Sequence, residues 1–201
     1  VLDFGEASLQ SLFINAPNIF LFLIPAITMR SFAEEKRTGT IEILMTKPLS
    51  DFQIILSKYL AGVVLVLLSL LPTLIFYYSV IQLGAPAGNI DHASTWGAYI
   101  GLFLLGAVFV AIGIFASSIT SNQVIAFMIA LLSCFTVYIG FQFLAAIFSA
   151  PFDLIFMNLG IHEHYISLQR GVIDSRDIIY YLSAISLFLL LTKLTLQTRK
   201  W

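Results

Sequence analysis

Five apolar stretches, each of a length to cross a bilayer, constrain this chain more than anything else in it. They run over residues 12–29, 52–83, 96–119, 123–150 and 178–196. A hydrocarbon core of about 30 Å takes about 20 helical residues to cross. A backbone in lipid must satisfy its own hydrogen bonds, so the stretches are expected to be helices. None alternates with the period of two that a membrane β-barrel needs. The first is the most interrupted, by Asn15, Pro17, Asn18 and Pro25. The second is longer than one crossing, so it tilts or begins at the surface. The expected fold is an all-α polytopic transmembrane bundle, one domain over residues 1–201.

Composition agrees. Of 201 residues, 59% are hydrophobic and 10% charged, and the mean hydropathy is +0.96. Soluble domains carry about a quarter charged residues, and a small domain must clothe itself in polar surface. The net charge of −1 gives no footing for nucleic acid. Cys134 is the single cysteine and lies in an apolar stretch, so neither a disulfide framework nor a zinc cluster is available.

Cations set the orientation of such a bundle. Arg30, Lys36, Arg37, Lys47 and Lys58 fall between the first two stretches, while Arg170 and Arg176 fall in the 151–177 connection. Lys193, Arg199 and Lys200 lie at the end. Placing the 30–51 connection in the cytoplasm puts the first five and the last three inside. The start of this sequence is then outside and its C-terminus cytoplasmic. Tyr77, Tyr78, Trp96, Tyr99, Tyr180 and Tyr181 fall near the outer interface and Trp201 near the inner one, where such rings are favoured.

The 30–51 connection is unusual for an apolar chain, because it mixes those cations with Glu34, Glu35, Glu42 and Asp51. Arg30–Arg37 can continue as a helix out of the membrane. Gly39 suits a helix end or sharp bend. In "TIEILMT", Ile41, Leu44 and Met45 share one helical face and Glu42 points elsewhere, so a short amphipathic piece can lie at the membrane surface. Pro48 ends it. "LSDFQI" is a helix start: Ser50 and Gln53 make a capping box, and Asp51 complements the positive helix end. A solvated loop would explain the cations alone. A docking surface for a protein explains the acids, the bend and the apolar face together.

The segment "RSFAEEKRTGTIEILMTKPLSDFQIILSKYLAG" resembles the connection between the second and third spans of ABC-2 type transporter permeases. Arg30, Phe32, Glu34, Glu35, Gly39, Thr40, Glu42, Pro48, Ser50 and Lys58 carry the likeness. "LQRGVIDSRDIIYYLS", residues 168–183, resembles the approach to that family's last span. Within the family the chain looks most like the gliding-motility-associated permease subunit, GldF-like. The resemblance implies six spans with both termini cytoplasmic, so a first span is expected upstream of Val1. It implies a coupling region at Arg30, Glu34, Glu35, Arg37, Gly39, Thr40, Glu42 and Pro48 that meets an ABC ATPase subunit. It also implies a bacterial inner membrane, a homodimer or pairing with a related permease, and helices before the last span.

No G-x-x-x-x-G-K-[ST] occurs in the 201 residues, so ATP and Mg are expected on the partner ATPase, with no cofactor on this chain and no catalytic residues. "HEH", 162–164, cannot point both His to one side of a helix, and a metal is not expected. Asp and Glu are missing from the interiors of the five stretches, against a proton-driven carrier or an intramembrane enzyme. The milder polar residues Ser69, Thr73, Ser117, Ser118 and Ser133 read as glue between helices. Asn15, Asn18, Thr136 and Gln142 are the candidates for a transport path or subunit interface. Pro25 and Pro72 are expected to kink their helices. "GAYIG", Gly97–Gly101, matches GxxxG. Phe152, Ile155, Phe156 and Leu159 share a helical face that can enter the outer leaflet. Two functions remain open: the permease of an ABC exporter, and a non-transporting scaffold of an envelope complex.

Overall fold

The computed structural model describes residues 9–46, 49–84, 90–148 and 152–198. Every regular element among them is a helix. Val1, Asp3, Glu6, Lys47, Pro48, Arg199, Lys200 and Trp201 lie outside the described residues.

Helix α1 (Gln10–Thr28) is followed, after Met29, by α2 (Arg30–Thr38) and by the short α3 (Thr40–Met45). Helix α4 (Asp51–Leu70) reaches a single 3-10 turn at Leu71–Thr73 and continues as α5 (Leu74–Leu83). Helix α6 (His92–Ile119) is unbroken. A π-helical turn, Thr136–Gly140, separates α7 (Gln123–Phe135) from α8 (Phe141–Ile147). Helices α9 (Phe152–Leu159) and α10 (Ile161–Gln169) precede α11 (Ser175–Gln197). Five of the helical stretches are long and apolar enough to cross a membrane, and they fall on the five predicted ones.

Helix α6 is the axis. Of its apolar stretch 78% is buried inside the protein, against 17–39% for the other four. It touches α1, α2, α4, α7, α10 and α11. Its sequence explains this place: Gly97, Gly101, Gly106, Gly113, Ala98, Ala107, Ala111 and Ala116 thin the helix on several sides, and small residues let backbones approach in lipid. Gly113 is the tightest such approach described on the axis. A Cβ there would stand 1.9 Å from Thr28 Oγ1 of α1.

The surrounding helices turn large apolar side chains outward. Ile19, Phe22, Leu68, Ile75, Leu132, Leu187 and Leu190 are exposed. Water would not tolerate so continuous a greasy belt, whereas lipid is its natural neighbour. Helix ends are capped by short polar side chains. Asp91 accepts from Ser94 N at 3.1 Å, Asn122 from Val124 N at 2.9 Å and Asp174 from Arg176 N at 2.9 Å.

The two prolines behave differently. Pro72 marks the 3-10 interruption between α4 and α5, as a missing N–H requires. The Tyr99 hydroxyl donates to the Thr73 carbonyl there at 3.0 Å. Pro25 instead lies within continuous α1. The helix breaks four residues later, at Met29.

Candidate functional site

At one end of the bundle α2 and α3 project as an elbow. Phe32, Ala33 and Ile41 are buried and fix it to the bundle. Gly39 makes the bend with φ of 73°, a conformation that a side chain disfavours, and Thr38 and Thr40 hydroxyls bond across it at 2.9 Å. The basic residues Lys36 and Arg37 occupy the last turn of α2, where cations complement the helix end.

Helix α6 holds the base of the elbow. Ser117 Oγ accepts from Phe32 N at 2.9 Å and from Ala33 N at 3.0 Å, and donates to the Met29 carbonyl at 2.9 Å. Lys36 Nζ donates to the Ser118 carbonyl. Ser118 Oγ bonds Thr195 Oγ1 of α11 at 2.6 Å.

Helix α4 holds its flank. The predicted capping box is present: Gln53 N donates to Ser50 Oγ, and Ser50 N to Gln53 Oε1. Two turns in, Lys58 Nζ lies 2.5 Å from Glu35 Oε1 and 2.7 Å from the Ser31 carbonyl, and 4.8 Å from the Phe32 ring centre. Glu35 Oε2 is buried without a hydrogen-bond partner. A groove of about 460 Å³ runs between Glu35, Leu44, Leu49, Ile54 and Lys58.

The sequence candidates separate into two groups here. Glu35 belongs to the elbow's internal fastening. Arg30, Arg37, Gly39, Thr40 and Glu42 are exposed, and Glu34 pairs weakly with Arg37 at 3.8 Å on the surface. Pro48 lies outside the described residues. Ile43, which the sequence reading passed over, is 65% exposed at the tip beside Glu42. Lys58 and Ser117 were also undervalued. A lysine inside an apolar run was the available signal for the first.

The four path candidates do not converge. Asn15 and Asn18 lie exposed on α1 and bond the carbonyls of Ser11 and Ile14 on their own helix. Thr136 is exposed and bonds the Leu132 carbonyl. Gln142 reaches instead to the opposite end of the bundle, where its amide nitrogen faces His162 Nδ1 of α10. Tyr138 packs on the same ring at 5.3 Å. Burial holds the His162 pKa below its ordinary value, with Glu163 pulling the other way.

Beside it, His164 Nδ1 contacts Asp177 Oδ1 at 2.7 Å and its Nε2 the Asn158 carbonyl at 3.0 Å, while its ring stacks on Tyr180. The two histidines of "HEH" thus serve separate hydrogen-bond sets that tie α9 and α10 to α8 and α11. Among the described residues no cluster of three or more His, Cys, Asp or Glu could hold a metal. The Tyr165 hydroxyl donates to the Phe13 carbonyl at 2.8 Å, fastening α10 to α1.

A search among curated proteins gave no match. A family model described as ABC-2 family transporter protein matches residues 5–159, a range that includes the elbow, the whole of α6 and the α7–α8 span. The apolar belt, the five spanning helices and this match agree, and the chain belongs to the ABC-2 family as a multi-pass membrane component of an ABC transporter.

Proposed function

We propose that this chain is the permease subunit of an ABC exporter and that the α2–α3 elbow is where a separate ATPase subunit docks. The elbow's build carries the reading. Its base is fixed in the bundle by Phe32, Ala33 and Ile41, while Arg37, Thr40, Glu42 and Ile43 stand out at its tip. A firmly held element with an exposed apolar residue ringed by both signs of charge is what a docked partner can push. With the cations of 30–58 on the cytoplasmic side, that tip faces the compartment that holds ATP. The chain sits in this reading in the inner membrane, with ATP and Mg held by the partner. The exposed Asn15 and Asn18 of α1 are offered to a second copy or a related permease, which would cover amides otherwise turned to lipid. The likeness to the gliding-motility subset points to an envelope or secretion substrate.

Co-purification tests the docking. The tagged chain, extracted from its own cells in mild detergent, should bring a P-loop subunit whose ATP hydrolysis it stimulates. Ile43→Asp and Glu42→Lys should each weaken that recovery about tenfold, a loss of about 1.4 kcal/mol of binding, with membrane insertion unchanged. Full recovery and stimulation in both variants would remove the elbow as the docking site, and a chain that never recruits an ATPase would be a scaffold.

A further inference from the structure

The first spanning helix is interrupted by a side chain from another helix. Its register breaks between Thr28, the end of α1, and Arg30, the start of α2. Met29 at the break keeps right-handed helical angles, φ −54° and ψ −29°. The chain therefore does not unwind there; only its hydrogen-bond ladder is disturbed. The Phe32 N–H would ordinarily donate to the Thr28 carbonyl, four residues back. It donates instead to Ser117 Oγ at 2.9 Å. The same oxygen takes the Ala33 N–H at 3.0 Å, and its proton goes to the Met29 carbonyl at 2.9 Å. A hydroxyl has one proton and two lone pairs, and all are used, inside a residue with 0% exposure. A side chain inserted into the helical ladder is a recognised cause of a kink.

We propose that Ser117 is the clip of a hinge, and that α2 swings relative to α1 when the clip opens. Two features make the element bistable. Phe32 N–H has a second acceptor waiting in the Thr28 carbonyl, so release need not leave a buried donor unsatisfied, which would cost about 1–3 kcal/mol. The break also sits between two separately held pieces: Gly113, one turn before Ser117, lets α1 lie close at Thr28, while beyond it α2 is held by the buried Phe32 and Ala33, by Lys36 on the Ser118 carbonyl and by Glu35 on Lys58. A push on the elbow then reaches the axial helix at two adjacent residues, the Ser117 hydroxyl and the Ser118 carbonyl that Lys36 holds. Ser118 Oγ, bonded to Thr195 of α11, passes it on to the last span. The sense of the motion rests on the docking reading, since a swinging α2 matters if α2 carries that surface.

The test uses the permease alone in lipid nanodiscs. Spin labels at Arg37→Cys and Ser121→Cys, with Cys134→Ala in the background, read the angle of α2 by pulsed dipolar spectroscopy. The wild-type clip should give one narrow distance distribution. Helix α2 has 9 residues, a lever of about 13 Å, so a change of about 20° in the kink moves its end by about 5 Å. Ser117→Ala should shift the distribution, or add a second population, by about that amount. Ser117→Cys, which keeps a weak donor and acceptor, should do so partially. Ser118→Ala loosens the packing at Thr195 but leaves the clip, and should leave the distribution as it is. A Ser117→Ala distribution that superimposes on wild type overturns the hinge, and so does an equal shift in Ser118→Ala. Should Ser117→Ala fail to fold, Ser117→Cys decides on the same terms. No ATPase is present, so a failed hinge leaves docking standing, and failed co-purification leaves the hinge standing.

Discussion

Lys58 shows how a cation is kept at the edge of an apolar span. It meets a carboxylate, a carbonyl and an aromatic face, three different ways of replacing water around an ammonium. Local chemistry of this kind was readable only in part. The Ser50–Gln53 box was plain because its partners are three residues apart. Glu35 and Lys58 are 23 apart, and Ser117 and Phe32 are 85 apart, so nothing in the spacing announced either tie. Gln142 was singled out for being costly in lipid, yet the partner that relieves the cost, His162, lies 20 residues on in α10. That pair makes a testable titration. Burial lowers the His162 pKa in the folded state, so the unfolded chain binds the proton more readily. Stability should be level above about pH 6.5, the unfolded value, and should fall as the pH drops through the folded value. His162→Gln should flatten this limb when thermal unfolding in detergent is followed from pH 7.5 to pH 5, and an unchanged limb would assign it to other groups.

At the scale of elements, punctuation by glycine and proline was legible, but its effect was not always. Gly39 ends α2 in the left-handed conformation, as the sequence required of the bend. Gly39→Val should cost about 1–2 kcal/mol, whereas Gly39→Asn should cost less, because Asn tolerates that conformation. Denaturant unfolding of the two variants in the same detergent checks the order. The Gly97–Gly101 pair has a different use from helix–helix dimerisation. Gly97 lies under the Leu168 carbonyl and Gly101 against Tyr165 and Leu168, so the pair admits α10 rather than another span. Pro25 was expected to bend α1, but the break came at Met29, where a distant serine enters. The π turn at Thr136–Gly140 had no sequence signal at all. Phe152–Leu159 forms the expected short helix, with Leu154, Ile155 and Leu159 exposed.

For the whole molecule, hydropathy fixed the number and class of the spanning stretches, because length and greasiness are properties of each stretch alone. Which helix takes the middle was not legible from apolarity, since α4–α5, α6 and α7–α8 are almost equally apolar. Small residues decide it. Orientation rests on the cations and can be read in intact cells. With Cys134→Ala, Ser175→Cys should react with a membrane-impermeant thiol reagent and Thr40→Cys should react only after lysis; the reverse pattern would invert the bundle. The central position of α6 has a further consequence, for biogenesis. Helices α1, α2 and α4 emerge from the ribosome before it, and α7, α10 and α11 after it. For the time it takes to synthesise those last segments, α6 has half its final jacket: Gly106, Gly113 and Ser117 already meet α1, α2 and α4, while Gly97, Gly101 and the Ser118 hydroxyl await α10 and α11. A chain arrested at that moment would hold its most inward-looking helix with the flank meant for α7, α10 and α11 still uncovered.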